Sequence, residues 1–150
     1  MYNLLLVDDE PLIKVAFQSA VEWGKNGFLL AATASNGQEA LHIVETQHID
    51  AVITDLKMPG MDGLVLIHEL KKRSFTGPIL VLSNYSDFDS VRTALTDGAY
   101  DYFLKINMNG ESIGEHLEKM ADLLRVQQQR QTEEDHRSFA IEAQKKENAL

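Results

Sequence analysis

A chain of 150 residues, 44% of them hydrophobic, suits one domain of ordinary size plus an appendage. The absence of cysteine excludes disulfides and thiolate metal sites, and no stretch approaches the ~20 apolar residues a membrane span needs. The formal net charge of -9 argues against a nucleic-acid surface on these residues and suits a site that gathers a divalent cation, although a soluble acidic surface explains most of it equally well.

The N-terminal apolar run, Leu4 to Val7, has no basic stretch before it and is broken by Asp8, so it is not a signal peptide. That and the missing cysteines fit a cytoplasmic protein. The run reads as a first strand, Asn3 to Asp8. Asp9-Glu10-Pro11 then opens a helix, with Asp9 as its cap and Pro11 in its first turn. Leu12, Ala16, Phe17 and Ala20 recur at helical spacing through Trp23, and Gly24 and Gly27 end the helix.

Phe28 to Ala34 is the second strand. Ser35-Asn36-Gly37-Gln38-Glu39 holds two overlapping capping boxes, Ser35 with Gln38 and Asn36 with Glu39. The second helix follows, with Ala40, Leu41 and Val44 inward. Ala51 to Thr54 is a short apolar strand of the kind buried on both faces. It delivers Asp55 at its carboxyl end, and Met58-Pro59-Gly60-Met61-Asp62-Gly63 then makes a turn. The third helix begins near Gly63, with Leu64, Ile67 and Leu70 as its stripe and Lys71-Lys72-Arg73 at its C-terminal dipole. Gly77-Pro78 leads into the fourth strand, Ile79 to Ser83. Asp87 starts the fourth helix, with Phe88, Val91 and Leu95 as core, and Gly98 stops it. Asp101 to Leu104 is the fifth strand.

The final helix starts around Glu111. Ile113, Leu117, Met120 and Leu124 form a heptad-like seam whose next positions, Gln127 and Gln131, are polar. The division is therefore a domain over residues 1–125 and a helical linker or tail over 126–150. From Thr132 onward, helix and disordered tail are equally compatible with the composition.

Strands alternating with helices imply a parallel sheet with helices on both faces, and chemistry then collects outside the strand carboxyl ends. Asp8, Asp9, Asp55, Ser83 and Lys105 all meet at that edge. Clustered carboxylates repel. A hard cation such as Mg²⁺ and the ammonium of Lys105 offset the repulsion. The set suits phosphoryl transfer onto Asp55 as nucleophile, with Ser83 as a hydrogen-bond donor to the arriving group. Singly, each residue has a blander role: a cap, a turn residue, a solvated lysine. Jointly and in this order, chance explains them poorly.

The residues Leu6-Val7-Asp8-Asp9-Glu10-Pro11, Asp55 through Gly63, Leu82-Ser83 and Asp101-Tyr102-Phe103-Leu104-Lys105 resemble the receiver domains of two-component response regulators, over about residues 2 to 125. The resemblance implies an α/β flavodoxin-like (CheY-like) fold, a doubly wound five-stranded parallel sheet of order 2-1-3-4-5 with an extended C-terminal helix. It implies that Asp55 takes phosphate from a sensor histidine kinase. It also implies that Asp9 and Asp55 ligate Mg²⁺ directly, with Asp8 helping through water and Lys57 giving its backbone carbonyl. Ser83 and Tyr102 fall on the switch positions that remodel the face of the fourth helix, fifth strand and fifth helix. Ser83-Asn84-Tyr85-Ser86-Asp87-Phe88 and Gly98 through Tyr102 look like regulators carrying a C-terminal AraC-type helix-turn-helix domain. DNA would then be bound only through a domain not present in this chain, and no membrane is involved. A homodimer through the C-terminal helix or the switch face is expected.

Ile106 stands where the family usually has proline, so a trans bond after Lys105 and a shifted loop are expected. Asn84 stands where a small residue commonly sits. Lys57 and Tyr85 flank the site, and neither orients water well, which implies slow self-dephosphorylation. Three rivals carry less. A haloacid-dehalogenase-type phosphatase wants an acid where Lys57 stands. A degenerate receiver acting only as a dimerisation or binding module is opposed by the intact acids and Lys105. A flavin carrier has fold analogy alone.

Overall fold

The computed structural model describes the backbone of residues 1–148 and side chains to residue 145. Five strands alternate with five helices: β1 (Tyr2–Val7), α1 (Pro11–Ala20), β2 (Phe28–Ala34), α2 (Gly37–Thr46), β3 (Ala51–Asp55), α3 (Gly63–Lys72), β4 (Ile79–Ser83), α4 (Phe88–Thr96), β5 (Asp101–Leu104) and α5 (Gly110–Asn148). All pairings are parallel and the order is β2-β1-β3-β4-β5. This is the flavodoxin-like arrangement, with its reversal of strand order between β1 and β3.

The period of two along the central strands divides the core. Leu5, Val7, Val52 and Val81 face one side, against Ala40 and Leu41 of α2, Leu66, Ile67 and Leu70 of α3, and Val91 and Ala94 of α4. Leu4, Leu6, Ile53, Leu80 and Leu82 face the other, against Phe17 of α1 and Ile113, Leu117, Met120 and Leu124 of α5. β3 and β4 are buried at every residue, whereas the edge strands β2 and β5 are partly exposed. Two-sided burial is why the central strands read as continuous apolar runs.

Several local expectations need correction. Asp9 does not cap α1; Glu10 occupies that position without a side-chain bond, and Pro11 stands at the helix start. The helix ends at Ala20 rather than near Trp23, because Gly24–Asn26 forms a separate 3-10 turn. Its inward residues are Ile13, Phe17 and Val21, while Leu12 and Ala20 are exposed. In α3 the missed core residue is Leu66. Phe88 and Leu95 are not core: Phe88 is 67% exposed and Leu95 39%, and the buried face of α4 is Val91 and Ala94. Of the two capping boxes, Asn36 is the cap, accepting the Glu39 N–H at 2.8 Å, and the Glu39 carboxylate reaches back to the Ser35 amide.

α5 runs for 39 residues, roughly 58 Å at 1.5 Å per residue. Its first half is the seam, buried down to Leu124. Beyond it Gln127 donates to the Thr76 carbonyl and Gln128 accepts from the Tyr2 hydroxyl, both at 3.0 Å. The helix therefore leaves the sheet at the edge opposite the strand carboxyl ends. The tail from Thr132 is helical to Asn148; residues 149–150 lie outside the described residues. No helix among the described residues is long and apolar enough to cross a membrane.

Candidate functional site

Three strand ends set the site. β1 ends at Val7 and hands Asp8 to the carboxyl edge, β3 ends on Asp55, and β5 runs into Lys105. Asp8 and Asp55 are buried. The Lys105 ammonium lies 2.9 Å from Asp55 Oδ2, 3.1 Å from Glu10 Oε1 and 3.3 Å from Asp8 Oδ2. The other oxygen of each aspartate is held by main chain. Leu56 N–H donates to Asp55 Oδ1 and Glu10 N–H to Asp8 Oδ1, each at 2.8 Å.

The loop that presents Asp55 is fixed from behind. Gly63 opens α3, with Asp62 capping it by accepting the Val65 N–H. Gly63 donates its N–H to the Leu56 carbonyl at 2.8 Å. A Cβ at Gly63 would overlap the Asp55 carbonyl oxygen, so no other residue permits this approach. Between these points Gly60 takes a φ of 74°, the left-handed conformation glycine adopts without cost.

Charge in the site is unbalanced. Burial pushes the Asp55 carboxyl above its ordinary range, against the pull of Lys105 and of the Leu56 and Lys57 amides. Burial likewise raises Asp8; the Glu10 amide and Lys105 oppose this and the charge of Asp55 adds to it. Burial alone would lower the Lys105 ammonium, but Asp55, Asp8 and Glu10 together push it well above its ordinary value. The lysine is a fixed cation and the acids around it are under-neutralised.

Asp8, Asp9, Glu10 and Asp55 each bring a carboxylate oxygen into a set lying within 4.8 Å of one another. An all-oxygen donor set with excess negative charge fits a hard divalent cation such as Mg²⁺. Ser83 is fully buried at the end of β4, and its hydroxyl has no hydrogen-bond partner among the described residues. A buried hydroxyl left without a partner has the capacity to donate to an added acceptor.

Tyr102 is not gathered with the acids. It is 42% exposed on β5 and lines a groove of about 450 Å³ with Ser83, Phe88, Leu95 and Leu104. Ser83 thus borders this groove while standing at the same sheet edge as Asp55. The Lys57 side chain turns to Asp87, pairing at 3.0 Å. Lys105 through Asn107 form a 3-10 turn, every peptide bond among the described residues is trans, and Ile106 is exposed.

Two participants were missed in the sequence. Glu10 reads in the sequence as a helix start and as part of the family-like run, without a site role, although it follows two site acids directly. Asp87 reads in the sequence as the start of α4. It is buried, accepts the Asn84 N–H at 2.8 Å and completes a capping box with Asn84. The Asn84-x-x-Asp87 spacing was the available signal.

Residues 4–118 match the family described as the response regulator receiver domain. The uncharacterized transcriptional regulatory protein YesN of Bacillus subtilis is 37% identical over 125 residues, covering 83% of this chain and 34% of that protein. The nitrate/nitrite response regulator protein NarL of Escherichia coli is 32% identical over 119 residues, covering 79% and 54%. Among solved structures, the receiver domain of AraT, a response regulator from Geobacillus stearothermophilus, is similar with a TM-score of 0.79. It is 27% identical and covers 85% of this chain and 98% of that one. A two component transcriptional regulator AraC from Clostridium phytofermentans gives 0.78 at 25% identity, with coverage of 85% and 98%. The chain spans about a third to a half of the length of these two curated relatives.

Proposed function

The chain belongs to the response regulator receiver-domain family, and from that premise we propose that it is a phosphorylation-controlled switch whose phosphoacceptor is Asp55. The observation that carries this reading is the Lys105 ammonium 2.9 Å from Asp55 Oδ2, inside a pocket of four acids. The donor is a phosphohistidine on a sensor histidine kinase. A carboxylate oxygen of Asp55 attacks phosphorus, the P–N bond breaks, and the electron pair leaves on the imidazole nitrogen, which takes up a proton. The product is an acyl phosphate.

The protein's part is positioning and charge. The Leu56 amide holds Asp55 Oδ1, which leaves Oδ2 as the oxygen beside Lys105. Lys105 meets negative charge on the transferred group, where catalysis of this reaction mostly lies. Asp8, Asp9, Asp55 and the Lys57 carbonyl would hold Mg²⁺, which would supply further neutralisation of the transferred group. Glu10 shares Lys105 in the resting site and yields part of it when the phosphoryl group arrives.

Output follows from Ser83. Its unpartnered hydroxyl turns to a phosphoryl oxygen, Tyr102 follows inward, and the face of α4, β5 and α5 changes shape. Residues 1–125 are the switching domain and 126–150 a helical linker to an output, most directly transcription through a DNA-binding domain outside this chain. A homodimer forms through the switch face or the C-terminal helix. Self-dephosphorylation is slow, since Lys57 and Tyr85 flank the site and neither is a carboxamide or acid suited to orient an attacking water.

The test is incubation with acetyl phosphate and Mg²⁺, read by intact mass. The parent gains one phosphoryl group and Asp55→Ala gains none. An unmodified parent, or equal labelling of both, contradicts the reading. Decay of the phosphorylated parent within seconds in Mg²⁺ buffer contradicts the slow-dephosphorylation part alone.

A further inference from the structure

The Lys57–Asp87 ion pair has no place in the chemistry above, yet it joins the loop after Asp55 to the turn after β4. Lys57 lies two residues after Asp55 in the loop leading to α3. Asp87 ends the 3-10 turn, Tyr85–Asp87, that connects β4 to α4. The two ends are unequal. The Asp87 side chain is 2% exposed and the Lys57 side chain 69%. One carboxylate oxygen of Asp87 is held by the Asn84 amide and the other faces Lys57 at 3.0 Å. Burial works against the Asp87 charge, and the Asn84 amide and Lys57 together hold its carboxyl below the ordinary range nonetheless. Asp87 is thus a buried charge that depends on a solvent-accessible partner from a different loop.

That loop is the one whose position matters. It begins at Ser83, whose hydroxyl is unpaired, and ends on α4, whose Phe88 and Leu95 line the groove beside Tyr102. We propose that the Lys57–Asp87 pair is a latch that holds the β4–α4 loop in its resting position and is opened by competition for the Lys57 ammonium. The proposal rests on the phosphoacceptor reading for its trigger. A phosphoryl group on Asp55 adds charge within the same short loop as Lys57, and a flexible, exposed ammonium is drawn toward it. Asp87 then loses a charge partner, the turn Tyr85–Asp87 loosens, and Ser83 is free to move. The change is electrostatic; no covalent bond is made or broken. A group that binds both states equally shifts nothing. The latch supplies the difference, because Lys57 is committed to Asp87 in one state and available in the other.

Hydrogen exchange read by mass spectrometry tests the latch in EDTA, on the parent and on Lys57→Gln, Lys57→Arg and Asp87→Asn. Amides of residues 84–92 are expected to exchange about tenfold faster in Lys57→Gln and Asp87→Asn. Lys57→Arg, which keeps charge and reach, stays near the parent. Parent-like exchange in Lys57→Gln overturns the latch, even if Asp87→Asn proves too unstable to measure. A second arm titrates beryllofluoride with Mg²⁺ as an acyl-phosphate mimic. Asp87→Asn, which keeps Lys57 but breaks the latch, is expected to half-saturate at a lower concentration than the parent; equal or weaker binding overturns the coupling. A parent that binds no beryllofluoride counts against the phosphoacceptor reading and its trigger. The exchange data in EDTA separate that failure from a failure of the latch.

Discussion

Asp55 sits in the folded protein at a cost. Its carboxyl is buried beside Asp8, and both are pushed above the ordinary carboxylate range by that burial. A raised folded-state pKa means the native state holds its proton where the unfolded chain has lost it. This contribution to stability is therefore fullest at low pH and is lost as pH rises through the folded value. At neutral pH and without metal, the ionised acids are a net burden. Asp55→Asn keeps the shape, removes one charge, and leaves Lys105 paired with Asp8 and Glu10. It is expected to melt several degrees above the parent in EDTA, on a scale of roughly 2–4 °C per kcal/mol. Mg²⁺ should narrow the gap by stabilising the parent selectively. A lower melting temperature for Asp55→Asn in EDTA contradicts this. Lys105→Gln has the opposite sign, because it strands buried acids without their cation, and a loss of about 3 kcal/mol in urea unfolding is expected. Asp87 also runs opposite to Asp55. Its carboxyl is held low, so its stabilisation is present at neutral pH and lost as pH falls through the folded value.

Among the elements, the Asp55 loop and α3 share one close contact. Gly63→Ala would force its Cβ into the Asp55 carbonyl, so the start of α3 must shift away from the loop. Both thermal stability and phosphorylation rate should fall together; full activity in a folded Gly63→Ala variant contradicts the account of how Asp55 is positioned. In α5 the two halves should answer differently. Leu117→Ala opens a cavity in a fully buried seam and should cost about 2–5 kcal/mol. Phe139→Ser, at a residue 75% exposed, should leave domain stability within about 0.5 kcal/mol. Equal losses would mean that the tail packs on the domain.

The elements also show where sequence reading works. β2, β4 and β5 are found with the bounds expected, since short apolar runs between turn residues admit few alternatives. α4 is harder. Phe88, Val91 and Leu95 have helical spacing, but only Val91 lies on the buried face, with Ala94. Spacing fixes a stripe without saying which stripe, and small Ala94 gave a weaker signal than large Phe88. The site acids and Lys105 were legible because strand ends in a parallel sheet share an edge. Glu10 and the Asp87–Lys57 pair were not, because their roles depend on side-chain reach between loops.

For the whole molecule, the proposed switch sets its input apart from its output. The acids and Lys105 lie at the carboxyl edge of the sheet, and α5 departs from the opposite edge, fastened there by Gln127 and Gln128. In the proposed switch the signal crosses the domain by way of the face of α4, β5 and α5. That face carries Phe88, Leu95 and Tyr102 in the open. Light scattering should show a shift toward dimer with beryllofluoride and Mg²⁺; a monomer in both conditions removes the dimer reading while leaving the phosphoacceptor reading intact.

The central claim is that this acid cluster accepts charge at one atom position and with a metal's help. Its most direct measurement is tandem mass spectrometry on protein treated with acetyl phosphate, with Mg²⁺ or with EDTA. The account predicts a single phosphoryl group, on the peptide carrying Asp55, and only with Mg²⁺. A phosphoryl group on another residue, or labelling of Asp55 that is indifferent to EDTA, would contradict it.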